Sequence, residues 1–160
     1  VQLAINATIE LLIPTGVLRE LEVVLLREGV IGDVAPRVIS EKLLMFAVED
    51  GDEQRAVRFT TDPRDRFVAA TAIEQGATYL LTYNTKDFDL TQTSADCVTP
   101  DFLLAQLLDE RPNEVIKAVR QVRERYRNPS IETAQFLAVL ENLRLKDFAC
   151  SLRTMLRPEL

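Results

Sequence analysis

The chain has 160 residues, 47% hydrophobic and 28% charged, with 19 Lys and Arg against 25 Asp and Glu and a formal net charge of −6. That length suits one globular domain, or a domain with a small appendage; the hydrophobic fraction excludes a disordered chain, and 5 Gly with 7 Pro exclude a low-complexity one. Histidine is absent, which removes Ser-His-Asp and Cys-His machinery, an imidazole general base and His-containing zinc sites.

Charged residues interrupt every apolar run well short of the roughly 20 residues a membrane span needs, and no signal-peptide pattern opens the sequence. Cys97 and Cys150 fit no disulfide framework and cannot close a four-ligand zinc site, so a reducing cytoplasm is the expected setting. Any catalysis must use carboxylates, hydroxyls, lysine or a bound ion. Taken as an average, the negative charge argues against nucleic acid.

In chain order, Val1 to Asn6 reads as the last turns of a helix. Residues 9–13, closed by Pro14, read as a buried strand. Val17, Leu18, Leu21, Val24 and Leu25 then recur at helical spacing up to a stop at Gly29. A second helix is expected from Ala35-Pro36 through Val38, Leu43, Leu44 and Ala47 to Gly51, and residues 56–60 alternate as a short edge strand. Asp62-Pro63-Arg64-Asp65 is a helix start, with Asp62 as cap and Pro63 at the first helical position. That helix carries Phe67, Val68, Ala69, Ala70, Ala72 and Ile73 to Gly76. Residues 78–82 form the clearest strand, followed by a polar turn over 83–87.

Strand–helix alternation predicts an α/β layer with a parallel sheet between helices. From Thr99 onward only helices are predicted. They begin at Thr99-Pro100, at Pro112-Asn113, after the break at Asn128-Pro129 with Ser130 as cap, and around Phe148. The expected organisation is an α/β domain over 1–111 and a helical C-terminal extension over 112–160. Charge divides with it: residues 1–113 carry a net −9 and residues 114–160 a net +3. Lys117, Arg120 and Arg127 fall on about one helix face with Arg123 close by. Such a stripe is either a solvated surface or a phosphate-facing one.

Without histidine, converging carboxylates are the remaining route to metal chemistry. Ligand sites of open α/β sheets lie at the carboxyl ends of strands. Asp87 follows strand 78–82 there, on a loop with Thr82 and Asn84; Asp65 opens the preceding helix and Glu20 lies on the helix after strand 9–13. Each has a plain structural reading: Asp65 as a helix-end acid, Glu20 as surface charge, Asp87 as a turn residue. Brought together, the three would repel one another unless a hard divalent cation neutralised them.

The stretch DRFVAATAIEQGATYLLTYNTKDF, Asp65 to Phe88, resembles the PIN-domain nucleases. In that family an acid opens a D-x-x-(I/L/V)-A-A-x-A helix, matched by Asp65, Val68, Ala69, Ala70 and Ala72. A strand ending in T-x-N-x-x-D-F follows, matched by Thr82, Asn84, Asp87 and Phe88. IELLIPTGVLRELEVVL is similar to the family's second strand and helix, with Glu20 at its helical glutamate, and the segment from Val98 resembles the helical extension of a VapC-like subgroup. The resemblance implies a Mg²⁺- or Mn²⁺-dependent endoribonuclease, commonly the toxin of a toxin–antitoxin pair. Glu20, Asp65 and Asp87 would be the catalytic and metal-binding acids, and Thr82 and Asn84 would shape the site. The partners implied are an RNA substrate, a small antitoxin and a second copy in a homodimer, with Lys117, Arg120, Arg123 and Arg127 as contacts for RNA or antitoxin. The family's pattern opens with a strand ending in D-x-N, and no such motif precedes Val1. The expectation is therefore a chain lacking roughly two dozen residues, the size of the opening part of a βα unit, or one that has lost the strand. The rival readings are a degenerate PIN-fold binding module and a different α/β carboxylate-metal phosphohydrolase.

Overall fold

A computed structural model of the protein describes residues 1–27, 41–126 and 131–156. Internal packing divides the chain into two units, Leu11–Cys97 and Val1–Glu10 with Val98–Leu160.

The Leu11–Cys97 unit is mixed α/β. Its first strand, β1 (Ile13–Pro14), pairs in parallel with β2 (Ala47–Val48), Ile13 opposite Ala47 and Pro14 opposite Val48. The strand is shorter than its apolar run, because Pro14 has no N–H with which to extend a ladder. Helix α2 (Thr15–Arg27) follows directly, buries Leu18 and leaves Val24 exposed. Its first turn is satisfied from elsewhere in the unit: the Gly16 N–H donates to Asp50 Oδ1 at 2.8 Å, just beyond β2.

Two local expectations are corrected here. The helix expected to run through Ala47 is helical over 41–43, tightens into a 3-10 turn over Leu44–Phe46 and gives way to β2, because pairing with β1 claims the backbone of Ala47 and Val48. Its predicted start at Ala35-Pro36, and the stop at Gly29, lie outside the described residues. The edge strand expected over 56–60 is instead a 3-10 helix (Glu53–Ala56) and a turn, in which the Asp52 side chain accepts the Gln54 N–H and Phe59 N–H donates to Ala56 O. Ala56 and Phe59, three apart, are the buried hydrophobic residues of this stretch, so their period is helical and not two. Only Thr60 retains extended pairing, in an antiparallel bridge to Phe88.

Pro63–Asp65 forms a 3-10 turn that leads into α3 (Arg66–Glu74). Gly76, at φ +62, stops α3: its N–H reaches Ile73 O and that of Ala77 reaches Ala72 O, the paired bonds of a Schellman end. β3 (Tyr79–Leu81) pairs with β4 (Asp96–Val98), a strand the sequence reading did not anticipate. The core gathers Ala56, Phe59, Ala69, Ala70, Ala72, Leu80, Leu90 and Ala95. Three alanines on one helix let backbones approach closely. Thr71 Oγ1 accepts the buried Gly51 N–H at 2.8 Å and donates to Phe67 O at 2.7 Å. A Cβ on Gly51 would stand 2.4 Å from the Thr71 nitrogen.

The other unit is helical: α1 (Gln2–Ile5), α4 (Pro100–Glu110), α5 (Pro112–Arg123), α6 (Thr133–Asn142) and α7 (Lys146–Leu156). α4 packs on α5 and α7, α6 on α7 and α1 on α5. Leu103, Leu107, Leu108, Val115, Phe136, Leu137, Phe148 and Leu152 are buried, whereas Phe102 is 57% exposed. Thr99 caps α4 by accepting the Phe102 N–H, as its sequence suggests. The cap expected at Ser130 lies outside the described residues. α6 begins at Glu132, whose N–H donates to Gln135 Oε1 at 3.1 Å. α7 is capped across the unit: Asp101 Oδ2 accepts the Asp147 N–H at 3.1 Å and Oδ1 that of Phe148 at 2.9 Å. Among the described residues no helix is long and apolar enough to cross a membrane.

Candidate functional site

The geometry that matters begins with the single bridge at Thr60. Thr61 N–H donates to Asp87 O at 2.9 Å and Asp89 N–H to Phe59 O at 2.8 Å. The loop after β3 is thereby held against the segment that enters the Asp62–Asp65 turn. The loop itself is built by Thr82, whose Oγ1 accepts the Asn84 N–H at 3.0 Å, and by Asn84, whose carbonyl accepts the Asp87 N–H at 3.0 Å to close a 3-10 turn over Thr85–Asp87. Thr82 thus contributes a side-chain hydrogen bond to the loop that carries Asp87, and Asn84 a backbone carbonyl.

Asp65 sits where the 3-10 turn becomes α3, and its side chain makes no capping hydrogen bond. The capping role belongs to Asp62, which accepts the Arg64 N–H at 2.9 Å. Asp65 is held above the ordinary carboxylate range, first by partial burial and then by the charges of Asp62 and Asp87, with Arg64 opposing them. The charge of Asp87, distant in sequence, is thus among those that act on Asp65. Asp62 is held below its usual range by hydrogen bonds from Arg64, side chain first and backbone second. Arg64 is held more firmly protonated by Asp62, with smaller contributions from Asp65 and Glu20.

Glu20 is exposed on α2, within electrostatic reach of Arg64. The structure does not gather it with Asp65 and Asp87 into a cluster: among the described residues no three acids stand close enough together to share an ion. Asp65 and Asp87 are nonetheless oxygen-only donors of the hard type that Mg²⁺ and Mn²⁺ prefer, and one or two carboxylates suffice for such an ion when water and phosphate complete its shell. The donor chemistry fits.

Two residues with a bearing on the site were not singled out from the sequence. Asp50 fixes the first turn of α2, one turn ahead of Glu20, and its Oδ2 lies 4.0 Å from Arg19 Nη1. Arg64 pairs with Asp62 at 2.7 Å. For Arg64 a signal was present, since it stands beside the acid that opens the family-like helix.

In the helical unit Lys117, Arg120 and Arg123 lie on α5 with exposed side chains, and Arg127 lies outside the described residues. Arg123 Nη1 donates to Thr133 Oγ1 at 2.6 Å, and Arg125 Nη2 donates to Gln2 Oε1. Part of this basic stretch therefore ties neighbouring segments of its own unit together. Both cysteines are free; Cys97 packs against the α/β core, and burial pushes its thiol up.

Comparison with known families gives two matches. A PIN domain matches residues 1–86, more than half of the chain, and a VapC50 C-terminal domain matches residues 100–154. The chain belongs to the PIN-domain family. Its mixed α/β fold followed by a helical region agrees with that membership, and the pair of matches is that of a VapC-like PIN toxin with a C-terminal extension. The general chemistry of this family is nuclease chemistry. No curated protein matches the chain, and no solved structure does.

Proposed function

We propose that this PIN protein is a metal-dependent endoribonuclease, the toxin of a toxin–antitoxin pair, and that Asp65 and Asp87 are its principal metal-holding acids with Glu20 as a third. The observation that carries the reading is the Thr60–Phe88 bridge. It sets Asp87 beside the turn bearing Asp65, whose carboxylate caps nothing and is disfavoured as an anion in its own fold. A carboxylate perturbed by burial and by neighbouring acids is the kind of group that functional sites carry.

When bound, Mg²⁺ or Mn²⁺ supplies a Lewis acid for phosphoryl oxygens and makes water a stronger nucleophile near neutral pH. The chain's own residues do the rest. Asp65 and Asp87 hold the ion through carboxylate oxygens, and Glu20 on α2 adds negative charge that favours a cation there. Thr82 and Asn84 fix the loop so that Asp87 does not have to be ordered at the moment of binding. The exposed basic residues of α5, Lys117 and Arg120 with Arg123, offer a surface for RNA or for the acidic part of a small antitoxin. Arg127 extends that sequence pattern. A homodimer and a cytoplasmic setting complete the proposal.

The test is cleavage of single-stranded RNA by the purified protein, with Mn²⁺ and with chelator. Asp65→Asn and Asp87→Asn should each abolish cleavage. Activity that survives in chelator, or in Asp65→Asn, refutes the mechanism. Absence of both cleavage and any Mn²⁺-dependent melting shift selects the rival reading, a PIN-fold binding module; hydrolysis of small phosphoesters alone selects a different phosphohydrolase.

A further inference from the structure

Four carboxylates, those of Glu20, Asp62, Asp65 and Asp87, act on this corner of the α/β unit, and one cation, Arg64, feels three of them. An anionic substrate entering here meets the carboxylates of Asp62 and Asp65 on the turn itself. Arg64 is placed to offset them. Its Nη2 donates to Asp62 Oδ2 at 2.7 Å, and its Nε lies 3.2 Å from both Asp62 oxygens. Asp62 Oδ1 also accepts the Arg64 backbone N–H at 2.9 Å, so the pair is tied at both ends within three residues. One edge of the guanidinium is engaged in this way, while the side chain as a whole is 85% exposed. A guanidinium has five donors, and those on Nη1 are not among the ones Asp62 takes. Exposed pairs of this kind contribute little to stability, so the geometry is better suited to aiming the cation than to holding the fold.

We infer that Arg64 is the residue that grips a backbone phosphate of the RNA substrate, and that Asp62 is the built-in acceptor that keeps its guanidinium aimed beside Asp65 until that phosphate arrives. This rests on the nuclease reading of the site. The planar fork that fits a carboxylate fits a phosphate equally well, so the substrate engages the free edge or displaces Asp62 without reorganising the turn. Lysine offers only a point charge in the same place and reproduces part of the effect.

The experiment measures Mn²⁺-dependent cleavage of a single-stranded oligoribonucleotide across a range of salt, for the parent, Arg64→Ala, Arg64→Lys and Asp62→Asn. It is paired with the melting shift that Mn²⁺ alone produces in each. Arg64→Ala should raise KM roughly tenfold, the size of one lost charge-assisted contact, and lower the slope of log(kcat/KM) against log salt by about 0.7, the share of one single-strand phosphate. Its Mn²⁺ melting shift should be undiminished, since removing a cation from beside the acids does not weaken metal binding. Arg64→Lys should keep the salt slope and lose part of the affinity, and Asp62→Asn, which loses the anionic fork that aims the guanidinium, should raise KM by less than Arg64→Ala does. An unchanged salt slope in Arg64→Ala overturns the inference. So does loss of its Mn²⁺ shift, which would mean that Arg64 only maintains the turn. If the parent itself shows no Mn²⁺-dependent cleavage, the nuclease reading fails first and takes this inference with it.

Discussion

Asp101 offers the sharpest test of how the helical unit is held. Its carboxylate accepts the N–H groups of Asp147 and Phe148, the second and third residues of α7, while its own position in the first turn of α4 favours that helix as well. Asp101→Ala loses a cap worth about 1 kcal/mol, and a favourable charge at each of two helix N-termini, together about 1 kcal/mol more. The expected loss is therefore about 2 kcal/mol. It is concentrated where Phe148 and Leu152 enter the core, both nearly inaccessible to solvent. With a urea slope of about 2 kcal/mol per molar, the midpoint should move down by about 1 M, followed by circular dichroism at 222 nm. Asp101→Asn keeps a neutral acceptor and should lose about half as much. Asp109→Ala, at the exposed C-terminal end of the same helix, should be neutral or slightly stabilising, because an acid opposes the dipole there. A shift below about 0.2 M for Asp101→Ala, or one no larger than that of Asp109→Ala, would refute the capping argument.

Gly51→Ala should destabilise the α/β unit by about 3 kcal/mol, at the upper end of overpacking costs, because the new Cβ meets the backbone of Ala70 and Thr71, which cannot swing aside; denaturation of the purified variant measures it. Ala7→Gly and Arg144→Gly should each stabilise by about 1 kcal/mol, since both residues stand at positive φ in helix-ending turns where a side chain is strained, and urea midpoints above the parent's would show it. Asp65 binds its proton more tightly in the folded protein than in the unfolded chain, so folding stability falls as pH rises from the ordinary carboxylate value, about 3.9, through the raised one. Asp65→Asn should therefore melt above the parent at pH 7 in chelator, with the gap closing near pH 3; a variant that melts lower at pH 7 would contradict the sign.

Much of this was legible in the sequence where local chemistry and tertiary demand agree. Asp62-Pro63 starts a helical segment, Gly76 ends one and Thr99-Pro100 starts another, because a cap, a fixed φ and a missing Cβ act within four residues of themselves. The failures lie where a distant partner decides. Ala47 and Val48 follow a helical pattern but are taken by β1, a pairing no local window contains. The strand Asp96–Val98 is too short to announce itself, and Asp101 reads as a first-turn acid of its own helix while serving another 46 residues on. Arg144 ends α6 in a conformation usually reserved for glycine or asparagine, so nothing in its identity marked the turn.

The candidate site was legible in part. Asp65, Asp87, Thr82 and Asn84 stand out as a spaced pattern, whereas the bridge between Thr60 and Phe88, which holds the Asp87 loop against the segment entering the Asp62–Asp65 turn, does not. Glu20 could be placed on its helix from sequence, and the structure leaves it exposed there without gathering it to the other two. The basic helix was legible as a charge pattern. That Arg123 and Arg125 serve Thr133 and Gln2 was not, because those contacts are set by the packing of the tail.

The central claim is that Asp65 and Asp87 hold a cation for phosphodiester hydrolysis. Calorimetric titration of Mn²⁺ into the parent, Asp65→Asn and Asp87→Asn proteins, with RNA cleavage measured on the same samples, tests it most directly. The account predicts saturable binding by the parent, at least a tenfold weakening in each variant, the scale of losing one charged ligand, and loss of cleavage in parallel. Equal Mn²⁺ affinity in all three proteins, or cleavage that persists in either variant, would contradict it.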